Sequence, residues 1–299
     1  MNGQTELTVE NWLWDMHGTR SAQRLAEFRS LAPISRGTGP VHELPVDLVE
    51  LDHLELVDRA GARVTLGQHL ETSFTEGLIV IKDGTIIYER YLNGLQPDTQ
   101  HLLASVTKSV TATVLGIAIG RGALRLDDRV GDIAPEFIGT SVEDATVGQV
   151  IDMTAGTAFS EVHDELVEPG QESDLMRFFR QSGTMPLGEA EPLGVLGLFR
   201  ELGQAYPHGD HFEYRTPLTC VAGRILEVAT SRSYLDLVSE DVWSRIGAEH
   251  DAAMVIDVGG FPFAGGGMTA TLRDIARYGL AHLDGGIVAG EQVIPADWV

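Results

Sequence analysis

Cysteine, lysine and long apolar runs are what this 299-residue chain has least of. A single cysteine, Cys220, excludes an internal disulfide framework and a thiolate metal cluster. Its apolar setting, Thr-Cys-Val-Ala-Gly, reads as a packed core thiol in a reducing compartment. No run approaches the 18 or so apolar residues of a membrane-spanning helix. The first ten residues lack the basic and apolar segments of a secretory leader, so a cytoplasmic protein is expected. Positive charge is also scarce: 21 Lys and Arg face 44 Asp and Glu, for a net charge of -23. Such a field repels polyanions, which argues against nucleic acid and anionic membranes as partners and leaves a small molecule. Three motifs are missing too. Without Gly-x-Ser-x-Gly, His-Glu-x-x-His or a glycine-rich phosphate cradle, the α/β-hydrolase, zinc-protease and nucleotide-binding readings have no support. His208-Gly-Asp-His211 with Glu213 offers metal-ligand side chains, but the glycine between the histidines argues for a polar loop. No metal or other cofactor is expected.

Lysine occurs twice, as Lys82 and Lys108, while arginine supplies the other 19 basic residues. Lys108 closes the run His101-Leu-Leu-Ala-Ser-Val-Thr-Lys108, which makes Ser105 and Lys108 a Ser-x-x-Lys pair. Three residues apart on a helix, the hydroxyl and the amine sit one turn apart on one face, close enough for the amine to take the hydroxyl proton. With 14 serines and two lysines, such a pair arises by chance roughly 0.09 times in a chain of this length, so its context must decide. The following residues, Val110 to Ile119, are almost unbroken apolar sequence. The helix is therefore expected to be buried and to carry the lysine inward, where desolvation and the helix dipole favour a neutral amine. A lysine where arginine is the default cation points to a group that must lose its proton.

At 43% hydrophobic content the chain can bury a large core in one domain or two closely packed ones. Trp12, Leu13, Trp14, Leu25 and Phe28 suggest a short amphipathic helix, followed by an extended wrap from Pro33 to Pro45. Leu78 to Tyr91 reads as two strands joined at Asp83-Gly84, a strong hairpin signal. Thr146-Val-Gly-Gln149 is a capping box opening a short helix, and a further helix is expected near Ser173 to Arg180. Pro217 to Val228, Tyr234 to Ile246 and Thr271 to Leu283 also have helical patterns, and a glycine loop, Phe263 to Met268, precedes the last. Residues 1–70 are expected to form an N-terminal extension and 71–299 the main domain, with a helical, loop-rich subdomain at about 123–250.

From about residue 75 onward the sequence resembles the serine hydrolases of the β-lactamase and penicillin-binding-protein superfamily. The likeness is to the class C-like branch with its esterases and 6-aminohexanoate-dimer hydrolases. It is carried by Ser105-Val-Thr-Lys108, Leu124-Arg-Leu-Asp-Asp-Arg-Val130, the segment Val150 to Glu161, Tyr214-Arg-Thr216 and the segment Gly265 to Gly279. The resemblance implies an α+β fold: an antiparallel sheet flanked by helices, a mostly helical second region, and an active site in the groove between them. It also implies an acyl-enzyme formed on Ser105, with Lys108 and Tyr214 managing the proton. His163 and Asp174 fall in a segment that borders the substrate in the amidases, and Gly266 is a further candidate for substrate contact. His163 stands about where those amidases carry a tyrosine, and Thr216 stands where β-lactamases of this branch carry asparagine. Both departures favour a small ester, hence a carboxylesterase, over a β-lactamase, a D-alanyl peptidase or a nylon-oligomer amidase. The family's third motif, a Lys-Thr-Gly or His-x-Gly strand, has no counterpart before Val299. The chain is accordingly expected to lack the C-terminal strands, and a non-catalytic scaffold is the alternative of another class.

Overall fold

The computed structural model describes residues 7–12, 21–161 and 172–299. Its elements follow the chain as β1 (Leu31–Ile34), β2 (Glu55–Val57), β3 (Arg63–Thr65), α1 (Leu66–Thr72), β4 (Gly77–Lys82), β5 (Thr85–Tyr91) and β6 (His101–Leu102). There follow α2 (Thr107–Gly120), α3 (Val130–Ile133), α4 (Val147–Ile151), α5 (Asp174–Gln181), α6 (Gly194–Gly197), α7 (Thr216–Thr230) and α8 (Tyr234–Leu237). The order closes with β7 (Ala252–Val255), β8 (Met268–Ala270), α9 (Leu272–Leu283), β9 (Ile287–Val288) and β10 (Glu291–Gln292).

Local chemistry accounts for most of these boundaries. Asp83 and Gly84 both adopt left-handed backbone conformations, with φ of 51° and 75°, which gives the turn whose twist matches the strands it joins. The β4–β5 hairpin forms as its sequence predicts, with Lys82 opposite Thr85. Thr146 and Gln149 form the expected capping box at α4, and Thr65 with Gln68 makes a second one at α1. Ser173 caps α5 and Thr271 caps α9, each through its side-chain oxygen.

The main sheet is antiparallel, in the order β1-β7-β8-β6. Leu31 faces Val255, Ala253 faces Thr269 and His101 faces Ala270. Pro33 is tolerated in β1 because that strand lies at the sheet edge. Behind the sheet, α2 is covered nearly all round. Val110, Val114, Leu115 and Ile117 are buried with Leu218, Val221 and Ile225 of α7 in one core. Trp12, Leu25 and Ile34, from the first 70 residues, belong to the same core. The architecture is thus an antiparallel sheet flanked by helices, with a largely helical region from α3 to α8. Among the described residues no helix is long and apolar enough to cross a membrane.

Two expectations change in detail. The N-terminal pattern gives only a single 3-10 turn, Leu25–Glu27, while Leu13 and Trp14 lie outside the described residues. The pattern from Tyr234 to Ile246 gives α8 and then a π-helical stretch, Val238–Trp243. The wider turn accompanies burial of Val238, Val242 and Trp243 together, with the Trp243 indole N–H donating to the His250 carbonyl at 2.9 Å.

Candidate active site

Ser105 lies in a 3-10 turn, Ala104–Val106, that runs directly into α2. Ala104 just before it has φ of 45°, a left-handed conformation that costs a residue with a Cβ on the order of 1–3 kcal/mol. This kink brings the chain off β6 and into the helix with the serine side chain at the exposed rim. One turn later Lys108 Nζ donates to Ser105 Oγ at 3.0 Å and to the Gly265 carbonyl at 2.6 Å. The Tyr214 hydroxyl donates to the same Ser105 Oγ at 2.9 Å, and Lys108 Nζ stands 5.0 Å from the centre of the Tyr214 ring. A single hydroxyl oxygen therefore meets both an amine and a phenol. The ring face is itself an attractive surface for a cation. Lys108 is only half-buried, a correction to the expected interior amine: α2 begins at the rim, and only its later turns enter the core. Among the described residues no carboxylate lies within ion-pair distance of Lys108, so its partners there are dipoles and a ring.

Each partner is held by structure that lies far away in sequence. Gly265 sits so close to α7 that a Cβ there would stand 2.6 Å from the Thr216 methyl and 2.9 Å from the Thr216 carbonyl, so glycine alone lets its own carbonyl reach Lys108. Thr107, fully buried, accepts from the Met268 N–H at 3.1 Å and so ties the start of α2 to β8. Tyr214 is clamped on both sides. The Glu213 N–H donates to the Met153 carbonyl at 3.1 Å, and the Arg215 N–H reaches the Met153 sulfur at 3.5 Å. The Arg215 guanidinium, almost fully buried, donates to the Phe159 and Ala155 carbonyls, the Tyr206 hydroxyl and the Glu213 carboxylate. Loss of such an anchor would leave the Phe159 and Ala155 carbonyls without their donor, so Arg215 positions Tyr214.

The rim opens into a cavity of about 430 Å³, within the range of small-molecule sites. Ser105, Lys108 and the backbone of Gly265, Gly266 and Gly267 line one side. Leu175, Phe178, Phe179 and Phe263, with Trp12 and Leu25 from the N-terminal segment, make the rest strongly apolar. Phe178 meets Phe159 and Phe263 edge-on at 6.0 and 5.5 Å between ring centres, which stiffens that wall. Two further charged groups line the cavity: Arg29, and Glu161, whose carboxylate accepts the Thr216 N–H at the start of α7.

The structure thus brings Ser105, Lys108, Tyr214 and Gly266 to one place. Asp174 does not line the cavity: as the first residue of α5 it accepts from the Ser160 N–H at 3.2 Å and from Arg177, while its neighbour Leu175 faces the cavity. His163 lies outside the described residues. Sequence reasoning missed the Gly265 carbonyl as an acceptor for the amine, Arg215 as the tyrosine's anchor, and Trp12 and Arg29 as cavity residues. Only the triple glycine carried a visible signal. His208 Nδ1 accepts from the Gly156 N–H at 2.9 Å, and His211 meets Asp210 and the Tyr206 ring. Among the described residues no group of three metal-ligating side chains converges. Burial pushes the Cys220 thiol up to about 12, which leaves it inert in the core.

A family model described as Beta-lactamase matches residues 68–298. A 6-aminohexanoate-dimer hydrolase of Paenarthrobacter ureafaciens is 31% identical over 294 residues, spanning 98% of this chain and 72% of that protein. Penicillin-binding protein 4 of Amycolatopsis lactamdurans is 25% identical over 224 residues, 64% of this chain and 53% of its own length. Among solved structures, a Bacillus anthracis protein provisionally named a 6-aminohexanoate-dimer hydrolase superimposes with a TM-score of 0.89 at 26% identity, covering 99% of this chain and 76% of that one. A class C beta-lactamase of Rhodobacter sphaeroides shares the fold at a TM-score of 0.54 and 18% identity, over 78% of this chain and 68% of its own.

Proposed function

The chain belongs to the beta-lactamase family, a family of hydrolases, and on that premise we propose that it is a serine hydrolase working through an acyl-enzyme on a small carboxylic ester. The observation that carries this reading is the meeting of Lys108 Nζ and the Tyr214 hydroxyl on Ser105 Oγ, at 3.0 and 2.9 Å, on the rim of a cavity. In the deprotonated amine the lone pair points at Oγ while an N–H still donates to the Gly265 carbonyl. Lys108 then accepts the Ser105 proton as Oγ bonds to the substrate carbonyl carbon. The oxyanion forms beside the Ser105 N–H, in the 3-10 turn that leads into α2. Tyr214 hands a proton to the departing group, the C–O bond breaks, and the alcohol leaves. Water attacks the acyl-serine by the same relay in reverse, releasing the acid and restoring the Ser105 hydroxyl. An ester suits this site because an alkoxide or phenolate leaves with less protonation than an amine requires.

The second reading is amide hydrolysis. It is favoured by the 31% identity, over nearly the whole chain, to a protein named for hydrolysing the 6-aminohexanoate dimer. Tyr214 would then have to protonate the leaving nitrogen.

A fluorophosphonate probe tests the shared premise. It should label Ser105 alone among the 14 serines, and Ser105→Ala should remove the label. Labelling that survives in the variant, or that never occurs in the wild type, overturns the serine-hydrolase reading in favour of a non-catalytic scaffold. On a labelled enzyme, kcat/KM for short p-nitrophenyl esters, nitrocefin and the 6-aminohexanoate dimer separates the ester from the amide reading.

A further inference from the structure

Among the described residues Arg29 is the one guanidinium that lines the cavity. The buried arginines of this protein are paired with carboxylates: Arg215 with Glu213, and Arg277 with Asp274 and Glu249. Arg29, by contrast, has no carboxylate within ion-pair distance among the described residues. Its Nη2 donates to the Ser182 carbonyl at 2.8 Å, and among the described residues the remaining donors of its five N–H fork meet no partner. Burial lowers its pKa, to about 10. Around it the lining is hydrocarbon and aromatic ring, and Trp12 on the same side spends its indole N–H on the Thr184 carbonyl at 2.7 Å. A half-buried cation that meets no carboxylate among the described residues while facing a cavity is poised for an anion from outside.

Resting on the reading that Ser105 marks the reacting end of this cavity, we infer that the substrate carries a carboxylate at the far end of a short apolar chain and that Arg29 receives it. The apolar walls suit the methylene chain, and the unspent guanidinium edge suits the two oxygens of a carboxylate. Glu161, the acidic group of the lining, is occupied in accepting the Thr216 N–H at the start of α7. Arg29 belongs to the wall built with residues 182–184, whereas Ser105 belongs to the wall of α2 and residues 265–267, so a chain joining the two spans the cavity. The carboxylate can belong to the acyl group or to the leaving group, and the test distinguishes these.

Calorimetry with hexanoate and hexanol on the wild type, Arg29→Met and Arg29→Lys reads the site without any turnover. Hexanoate should bind the wild type about tenfold or more tightly than it binds Arg29→Met, Arg29→Lys should keep part of that preference, and hexanol should not distinguish the three. Hexanoate that binds the wild type no better than hexanol, or binds Arg29→Met equally well, overturns the inference. The Tm of Arg29→Met should match or exceed the wild type, since a half-buried charge without a carboxylate among the described residues leaves the cavity wall. A lowered Tm with equal losses for both ligands marks a structural cation and also overturns it. In turnover, mono-p-nitrophenyl adipate against p-nitrophenyl hexanoate places the carboxylate on the acyl side, and 4-carboxyphenyl hexanoate against phenyl hexanoate places it on the leaving group. The side whose anionic member loses its advantage in Arg29→Met is the side Arg29 reads. Absence of turnover in the wild type would defeat the hydrolase reading and leave the binding result standing.

Discussion

The wall that holds Ser105 and the wall that holds Trp12, Phe179 and Arg29 differ in how their residues reach the cavity and in what they offer a substrate. On the first, the reacting side chains are engaged: Lys108 Nζ and the Tyr214 hydroxyl both bond Ser105 Oγ, and the Gly265 carbonyl accepts from the amine. Each member is fixed from behind by packed backbone, through Thr107 on β8, Gly265 on α7 and Arg215 on the residues around Phe159. On the second wall the lining is rings and methyl groups, with one cation whose donors are mostly unspent. The first wall is built to move a proton between fixed atoms, where an error of an ångström is costly. The second selects by shape and by one charge, and such a surface tolerates change. Substitutions on the two walls should therefore separate rate from choice.

The sharpest break falls on the first wall. Lys108→Arg keeps the positive charge and most of the bulk but cannot release a proton, so kcat should fall by about 100-fold or more with little change in KM. Retention of more than about a tenth of kcat would rule out Lys108 as the base and would make the two walls alike.

Tyr214→Phe is expected to act unevenly. Amide hydrolysis should drop by about 100-fold, while p-nitrophenyl ester hydrolysis should drop by less than about tenfold, because nitrophenolate leaves without a proton. Equal losses on both substrates would assign the phenol to Ser105 activation rather than to the leaving group. Rates on the two substrate classes, measured side by side, decide the point.

On the second wall, Phe179→Ala should leave the rate of fluorophosphonate labelling unchanged and shift the preferred acyl chain length. The change should be about tenfold in the kcat/KM ratio of long to short esters, the scale of a few methylenes in an apolar pocket. Slower labelling in that variant would show that the walls are coupled.

The smallest effect concerns the loop that carries Tyr214. Burial lowers the pKa of His208 below its ordinary value of 6.5, and its Nδ1 must be unprotonated to accept from Gly156. A histidine with a depressed folded pKa gives stability that is complete above about pH 6.5 and is lost as pH falls below it, because the unfolded chain binds the proton first. Melting curves between pH 7.5 and pH 5.5 should show this decline in the wild type and a shallower one in His208→Asn, which keeps an acceptor that does not titrate. Identical slopes would remove His208 from the account.

How much was legible in the sequence follows the same division. The hairpin at Asp83-Gly84, the capping boxes and the Ser105–Lys108 spacing are local. They depend on backbone angles and on the one-turn repeat of a helix, and both are written in adjacent residues. The strand β1, the 3-10 turn at Leu25–Glu27 and the π-helical stretch after α8 depend on what packs against them. Tyr214 could be proposed because its motif resembles one in a known family. Its phenol reaches Ser105 across a separation of 109 residues, and Gly265 reaches Lys108 across 157.

The sequence by itself determined that this chain holds a Ser-x-x-Lys pair at the head of an apolar helix, a family likeness along most of its length, and a strongly acidic charge. Only the tertiary structure decided that the lysine stays half-buried at the rim, that Arg215 anchors the tyrosine, that Asp174 does not line the cavity, and that Trp12 and Arg29 do. The physical reason is range. Turns and helix faces follow from the bonds between neighbours, whereas the walls of a cavity are set by which distant side chains the core brings together when it excludes water.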